Sequence, residues 1–120
     1  MKINQGLGNE IYWTLTTLEA GREVPLDLDP YDAVRVEFDA PLGAVDLGGF
    51  DGDIRQVGSG SGAVNKGLVY VGLVEADSVD WPGDARVRAQ WRVRDRASGT
   101  WYGSDVVPVV IIGRVGDTLE

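Results

Sequence analysis

The stretch ARVRAQWRVRDR, residues 85–96, alternates apolar side chains with polar ones, most of them arginines. One face of the extended chain would carry the apolar side chains of Val87, Ala89, Trp91 and Val93. The opposite face would carry the polar side chains of Arg86, Arg88, Gln90, Arg92 and Arg94. A period of two residues is that of a β-strand, and a single apolar face indicates a strand that covers a core. This stretch therefore predicts an antiparallel β fold with one buried sheet face.

The flanking sequence predicts more strands of the same kind. Ala97-Ser98-Gly99 predicts a tight turn into a strand from Thr100 to Val107, and Pro108 is expected at an edge or a bulge. Further strands are predicted over residues 10–18, 24–28, 33–39, 67–74 and 109–112, with a turn over 19–22. Seven or eight short strands at this spacing predict one all-β domain over residues 1–120. The expected architecture is an antiparallel two-sheet sandwich, immunoglobulin-like or jelly-roll-like.

The middle of the chain lacks this regular alternation. Residues 41–52 are interpreted as a connection, with a short strand inside it left open. Residues 53–57 are interpreted as a brief strand, and 58–62 as a flexible glycine-serine loop. The glycine-rich stretch of about 41–63 is predicted to be the most mobile part of the chain. Residues 75–84 are interpreted as a turn or loop. Whether Leu119-Glu120 is vector-derived is left open.

The composition excludes several classes of function. The 120 residues carry a net charge of −8, which repels phosphate backbones and anionic membranes, so neither nucleic acid nor a membrane is expected as a partner. The sequence has no histidine and no cysteine, which removes imidazole bases, Ser–His and Cys–His pairs, and His or Cys zinc sites. No signal-peptide pattern and no long apolar run is present. The expectation is a non-enzymatic protein without a cofactor.

Two motifs could carry ligand chemistry, and each has a simpler interpretation. GSGSGA, residues 58–63, loosely fits a dinucleotide fingerprint, but strand-forming residues follow it where a helix is required, so a plain loop is expected. Two groups of carboxylates could hold calcium, namely Asp27, Asp29 and Asp32, and Asp46, Asp51 and Asp53. Neither group matches an EF-hand loop, and a solvated strand face is the simpler account, so no metal is predicted.

Seven residues are candidates for an interface, namely Arg86, Arg88, Arg92, Arg94, Trp81, Trp101 and Tyr102. The arginine stripe, which Arg96 extends, either docks an acidic partner or forms a solvated face paired across the sheet with Glu37, Asp39 or Asp105. Trp13 and Trp91 are predicted in the core. Trp81 is either an exposed anchor or a plug for one end of the fold. Trp101 and Tyr102 begin the last strand, where exposed aromatics could anchor a partner.

The order of these features resembles a known family. GREVPLDL, residues 21–28, precedes DAVRVEF, residues 32–38, and GLVYV, residues 67–71, precedes a loop ending in Pro82-Gly83. The long arginine strand then runs into ASGTW, residues 97–101. This order resembles the immunoglobulin-like domain at the N-terminus of phage baseplate upper proteins and related phage virion modules. The resemblance implies a non-catalytic structural component of a phage particle, in the tail or baseplate or as capsid decoration.

The resemblance also implies partners and a location. The chain would assemble with other phage structural proteins, with a homo-oligomer as one option, and would lie in the virion after assembly in the bacterial cytoplasm. The alternative is a carbohydrate-binding β-sandwich module that uses Trp81, Trp101 and Tyr102. A third interpretation, a bacterial surface adhesion domain, is weakened by the lack of a signal-peptide pattern.

Overall fold

The computed structural model describes residues 1–39, 46–83 and 85–113, and within these ranges nearly all regular structure is β. The described residues form nine strands, one short α-helix and one 3₁₀-helical turn over Gly60–Gly62. The strands and the α-helix are β1 (Lys2–Asn4), β2 (Asn9–Thr14), β3 (Thr16–Glu19), β4 (Arg22–Pro25), β5 (Tyr31–Asp39), β6 (Asp46–Ile54), β7 (Leu68–Leu73), α1 (Glu75–Ser78), β8 (Ala85–Asp95) and β9 (Trp101–Ile112). The predicted all-β class is confirmed.

Seven of the strands form one continuous sheet in the order β1-β9-β8-β5-β6-β7-β2. All neighbours pair antiparallel except β1 and β9, which are parallel. The sheet curls until it is nearly a closed barrel, because the turn between β1 and β2 connects its two edge strands. A two-sheet sandwich is not confirmed, since β6 hydrogen-bonds on one side to β5 and on the other to β7.

A glycine makes this double pairing of β6 possible. Residues 46–52 of β6 pair with β5, and only Asp53 and Ile54 pair with β7. At the changeover, a Cβ on Gly52 would lie 2.5 Å from the carbonyl oxygen of Tyr70 and 3.2 Å from Val34 Cγ1. Any larger side chain would separate the strands at this point, so the continuity of the sheet depends on the close backbone approach at Gly52.

The core is built from the inward faces of the long strands, as the alternation of residues 85–96 predicts. Val87, Ala89, Trp91 and Val93 of β8 are all buried. The inward residues of β5, namely Val34, Val36 and Phe38, are buried against them. Trp91 is a core residue, as predicted, and Trp13 packs partly buried against the core. The periodicity of both strands therefore identified their buried faces correctly.

The two ends of the barrel are finished differently. At one end, the α1 end, the segment after β7 folds over the core and is held there by the β1–β2 turn, since the Gly6 amide donates to the fully buried Ser78 Oγ at 2.9 Å. At the other end, the hairpin end, β3 and β4 form a separate two-stranded, mostly exposed hairpin. Its tip, Ala20 and Gly21, has positive φ at both residues, as a type I′ turn requires, and the turn lies where it was predicted.

Some predicted boundaries are wrong. The connection proposed for 41–52 is a strand from residue 46 onward, because pairing with β5 overrides its glycine content. Residues 75–78 form a helical turn within the predicted loop. The predicted strand 10–18 is divided at Leu15, where β2 ends in the sheet and β3 leaves it for the hairpin. The interpretations of residues 41–45 and 119–120 lie outside the described ranges.

Pro108 lies inside β9 rather than between two strands. Trp101–Ile112 is one continuous strand, and Pro108 is paired with Arg88 on its β8 side. On the opposite side, β1 pairs only with residues 110–112, so Pro108 faces an edge that the described strands leave unpaired. This agrees with the expectation that proline occupies an edge position.

The contact at Gly52 gives a first test of this fold. Gly52→Ala should lower the free energy of unfolding by about 2 kcal/mol, because the added methyl group overpacks the contact with the Tyr70 carbonyl. Gly62→Ala is the matched control, since a Cβ at Gly62 meets no atom within 4 Å. The measurement is urea unfolding followed by tryptophan fluorescence. Equal stability of the two variants would contradict the close approach.

Candidate interaction surface

The arginine stripe of β8 faces a row of carboxylates on the neighbouring strand β5. Arg88 Nε and Nη2 donate to the two carboxylate oxygens of Asp39 at 3.0 and 2.9 Å. Arg92 forms a longer ion pair with Glu37, at 3.4 Å. Glu37 also pairs with Arg35, which in turn reaches Asp51 on β6. The charges of this outer face are therefore largely neutralised by neighbouring partners.

Arg94 forms the second two-point ion pair of the stripe. Its Nε and Nη2 donate to the Asp32 carboxylate at 2.9 and 3.1 Å. These hydrogen bonds and the positive charge of Arg94 lower the pKa of Asp32, and the same hydrogen bonds with the negative charge of Asp32 raise the pKa of Arg94. The same guanidinium lies 5.8 Å from the ring centre of Trp101, within cation–π range. Asp32, Arg94 and Trp101 thus form one connected group at the hairpin end.

The ends of the stripe differ from its middle. The guanidinium of Arg96 donates to the backbone carbonyls of Asp29 and Tyr31, at 3.0 and 3.4 Å, and so fixes the start of β5. Arg86 is exposed and has no ion pair among the described residues. Of the two interpretations of the stripe, the structure shows cross-strand pairing for Arg88 with Asp39 and for Arg92 with Glu37. The side chain of Asp105 lies outside the described part.

Trp81 is a plug and not an exposed anchor. Its side chain is only 5% exposed and lies at the α1 end of the barrel. The ring centre is 5.0 Å from that of Phe38 and 6.2 Å from that of Phe50, both in tilted arrangements. Gln5 Nε2 donates to the Trp81 carbonyl and holds the segment in place. A partner cannot reach this side chain in the folded domain, so we remove Trp81 from the candidate interface.

Trp101 and Tyr102 are both exposed but lie on opposite faces of β9. Trp101 pairs with the outward-facing Arg94, and Tyr102 pairs with the inward-facing Val93. Neighbouring residues of a strand point to opposite faces, so the two rings cannot form a common platform. Tyr102 lines a cavity of about 230 Å³ together with Leu15, Leu26 and Trp91. The three aromatic residues of the carbohydrate-binding alternative are therefore not brought together.

Exposed apolar side chains are concentrated on β9. Trp101, Tyr102, Val106 and Val110 expose 42%, 51%, 52% and 41% of their surfaces. β1 covers only residues 110–112 of the outer edge of β9, so residues 101–109 have no strand on that side among the described residues. We call the exposed side chains of Trp101, Tyr102, Val106 and Val110, together with the free backbone edge of residues 101–109, the β9 surface. Exposed apolar groups along an unpaired strand edge are typical of protein contacts.

A second apolar patch lies at the opposite end of the barrel. Leu7, Val74 and Val79 are all exposed, and they surround α1. Leu7 and Val79 also border a shallow cavity with Glu75 and Ala76. We call these three apolar residues the α1 patch. The domain thus presents apolar groups at both ends, one beside the hairpin and one beside the helix.

Sequence reasoning missed Val106 because of a bulge. From Trp101, strict alternation places residues 103, 105 and 107 outward and Val106 inward. The pairing register shifts between Gln90 and Arg92, so that Val106 lies opposite Gln90 and shares the outer face with Trp101. The only sequence signals of an irregular edge were Gly103 and Pro108. They indicate where a strand is interrupted but do not locate the extra residue.

The glycine-serine loop is held by a carboxylate. Asp27 accepts the Gly60 amide at 2.7 Å and the Gln56 side-chain amide at 2.6 Å, and these donors lower the pKa of Asp27. Gln56 Oε1 also accepts the amides of Leu28 and Gly67. A phosphate bound at this loop would need the Gly60 backbone amide, and this amide already donates to the Asp27 carboxylate.

Four of the six carboxylates considered for calcium are directed to protein donors. Asp27 contacts the glycine loop, Asp32 contacts Arg94, Asp51 contacts Arg35 and Asp53 contacts Arg55. Within the described ranges, no group of three or more acidic side chains is placed to hold a metal ion. The side chain of Asp46 lies outside the described part. We therefore do not consider a metal site further.

The lowered carboxylate pKa values predict how stability depends on pH. Asp27, Asp32 and Asp95 are held by hydrogen bonds to Gly60, Arg94 and Ser98 respectively, which lower all three pKa values. A carboxylate with a lowered folded pKa contributes stability above its unfolded pKa and loses it as pH falls through the folded pKa. We expect the free energy of unfolding to decline below about pH 4.

Asp27→Asn should make this acid decline shallower, because one of the three groups no longer titrates. The matched control is Asp80→Asn, a change of an exposed carboxylate beyond α1 that should leave the decline as in the wild type. Urea unfolding at a series of pH values measures the decline. An Asp27→Asn profile parallel to that of the wild type would contradict the role of the Gly60 contact.

The ion pair between Arg88 and Asp39 predicts a small coupling. Arg88→Ala, Asp39→Ala and the double variant should give a coupling energy of about 0.5 kcal/mol, because both side chains are close to half exposed. The coupling should shrink at high salt, since exposed charges are screened. The same cycle with Arg86 in place of Arg88 is the control. Equal coupling in the two cycles would contradict specific pairing of the stripe.

Within the described part of the chain, no helix is long and apolar enough to cross a membrane. A scan against protein-family models, a search of curated proteins and a search of solved structures each found no match to this chain.

Proposed function

We propose that this domain is a non-catalytic structural component that works by assembling with other proteins, as part of a bacteriophage particle. The observation that supports assembly best is the β9 surface, where exposed apolar side chains and an edge that the described strands leave unpaired lie on the same strand. Natural proteins normally protect such edges with charges, bulges or covering segments. An edge left accessible in this way is suited to pairing with another chain.

The distribution of charge fits contact with proteins better than contact with phosphates or anionic membranes. The arginine stripe, the main basic feature of the sequence, is paired with β5 carboxylates. The chain as a whole carries a net charge of −8. A protein with this charge gains little from binding polyanions, whereas apolar contacts between neutral surfaces remain favourable.

The domain is elongated, with principal extents of 52 × 28 × 27 Å, and carries two separate apolar surfaces. The β9 surface starts with Trp101 and Tyr102 at the hairpin end and runs along β9, and the α1 patch of Leu7, Val74 and Val79 lies at the α1 end. A component with two separate surfaces can contact two neighbours at once. This is the property that building blocks of a tail, a baseplate or a decorated capsid need.

The phage context rests on the sequence resemblance to the N-terminal immunoglobulin-like domain of phage baseplate upper proteins. We retain that likeness, its sandwich architecture and the virion location as part of the proposal. Other phage structural proteins are then the partners, and assembly takes place in the bacterial cytoplasm. The sequence contains no histidine or cysteine, which agrees with a role that requires no acid–base or nucleophilic catalysis.

Purified particles test this function. After induction of the phage from the strain that encodes this chain, the particles are purified by density gradient, and their proteins are quantified by mass spectrometry. We expect the chain in the particle fraction at a fixed copy number relative to the main tail or capsid protein. Its absence from particles while it is abundant in the lysate would contradict the proposal.

A further inference from the structure

The free edge of β9 is unusually poor in charge. Residues 101–110 include one charged side chain, Asp105, whereas charged residues make up 25% of the whole chain. The neighbouring strand β8 carries four arginines over a similar length. In proteins that remain monomeric, edge strands usually carry charged residues, particularly lysine, that prevent pairing with the edge strand of another molecule. Among the described residues, the features that protect this edge are the bulge and Pro108.

β1 shows how this edge accepts an additional strand. Its three residues pair in parallel with Val110–Ile112, and the Val110 amide donates to the Met1 carbonyl. Ile3, the central residue of β1, is fully buried beside the core. The additional strand thus obtains both backbone hydrogen bonds and apolar burial. The free part of the edge continues directly from this established pairing toward Trp101.

We propose that the free edge of β9 pairs antiparallel with β9 of a second copy of this chain, which forms a two-fold homodimer with a sheet that runs through both copies. In a two-fold interface the same patch meets itself, so a surface must be self-complementary. The β9 surface meets this condition, because one strand supplies the hydrogen-bonding edge and the apolar side chains. This proposal rests on the proposed assembly function and specifies one of its contacts.

The exposed side chains select the register of this pairing. Trp101 and Val106 both lie on the outer face, because the bulge between them shifts the alternation. Antiparallel pairing that places Trp101 of one copy opposite Val106 of the other creates two aromatic–aliphatic contacts related by symmetry. Such cross-strand pairs contribute favourably on a sheet surface. This register ends before Val110, so β1 stays paired in both copies.

The available area sets the expected strength. Trp101 and Tyr102 are about half exposed, and with Val106 and the backbone edge of residues 101–106 they offer roughly 400 Å² on each copy. A dimer would bury roughly 800 Å² in total, below the standard size of specific interfaces and in the range of weak, transient contacts. The dimer should therefore be reversible and depend on concentration, with a dissociation constant in the micromolar range.

Light scattering after size-exclusion chromatography tests the dimer. The full chain should change from monomer to dimer as its concentration rises through the micromolar range. Val106→Lys should weaken self-association at least about tenfold, because it places two lysines in the interface. Val57→Lys, at an exposed valine of the loop after β6, is the matched control and should associate like the wild type. Thermal unfolding of each variant shows that the fold is intact.

The register has its own test. Trp101→Lys and Val106→Glu should each be monomeric alone, whereas a mixture of the two should form a heterodimer. In the mixture, the introduced lysine of one variant faces the introduced glutamate of the other, and the second contact keeps its native Trp101 and Val106. Dimer formation in the mixture but in neither variant alone would support the register. Failure of the mixture to dimerise would overturn it.

The β9 homodimer and the proposed role in a phage particle can fail independently, and the experiments distinguish the two failures. A wild-type chain that stays monomeric up to high micromolar concentration, or a Val106→Lys variant that dimerises like the wild type, would overturn the β9 homodimer. Neither result bears on the presence of the chain in phage particles, which could depend on the α1 patch or on contacts with other proteins. Conversely, absence from particles would leave a measured β9 homodimer intact.

Discussion

The fold depends on β6, because this strand hydrogen-bonds to a different neighbouring strand on each side. β6 pairs with β5 over most of its length and with β7 only over its last two residues, and the chain passes from one to the other beside Gly52. If this strand were paired on one side only, β2 and β7 would separate from the rest as a second layer. The shared strand instead makes a single curled sheet, and it fixes which strands become edges. The free edge of β9 has a separate cause, because β1, the strand beside it, covers only residues 110–112.

The sequence predicts the strands that are half buried far better than it predicts how they are arranged. The alternation in β5 and β8 identified their inward residues correctly, because the burial of one face imposes a period of two residues whatever the topology. The path of β6 could not be predicted, since its glycines resemble a loop and its strand character comes from pairing with β5. Trp81 was ambiguous for a related reason: only the position of Phe38 and Phe50 determines that it is buried.

The candidate surface was predicted in part. Trp101 and Tyr102 were recognised as exposed, but their separation onto two faces and the shared face of Trp101 and Val106 depend on the pairing register with β8. The arginine stripe was correctly placed on the outer face, and its partners on β5 could be named as Glu37 and Asp39 because β5 shows the same alternation. The charges on β8 thus indicated the cross-strand pairing with β5, whereas the low charge of the adjacent strand β9 was the feature that led to the proposed interface.

The parallel pairing of β1 with the end of β9 has a consequence for synthesis. Ile3 lies beside Ile111, so β1, which is synthesised before the other described strands, can pair with β9 only after more than 100 further residues have left the ribosome. Until then, the Ile3 side chain remains exposed to solvent, and the sheet lacks the pairing between β1 and β9. Contacts between residues so far apart in sequence form late and slowly. Nascent chains on neighbouring ribosomes could meet through unfinished edges during this interval, and rapid closure by β1 would limit that misassembly.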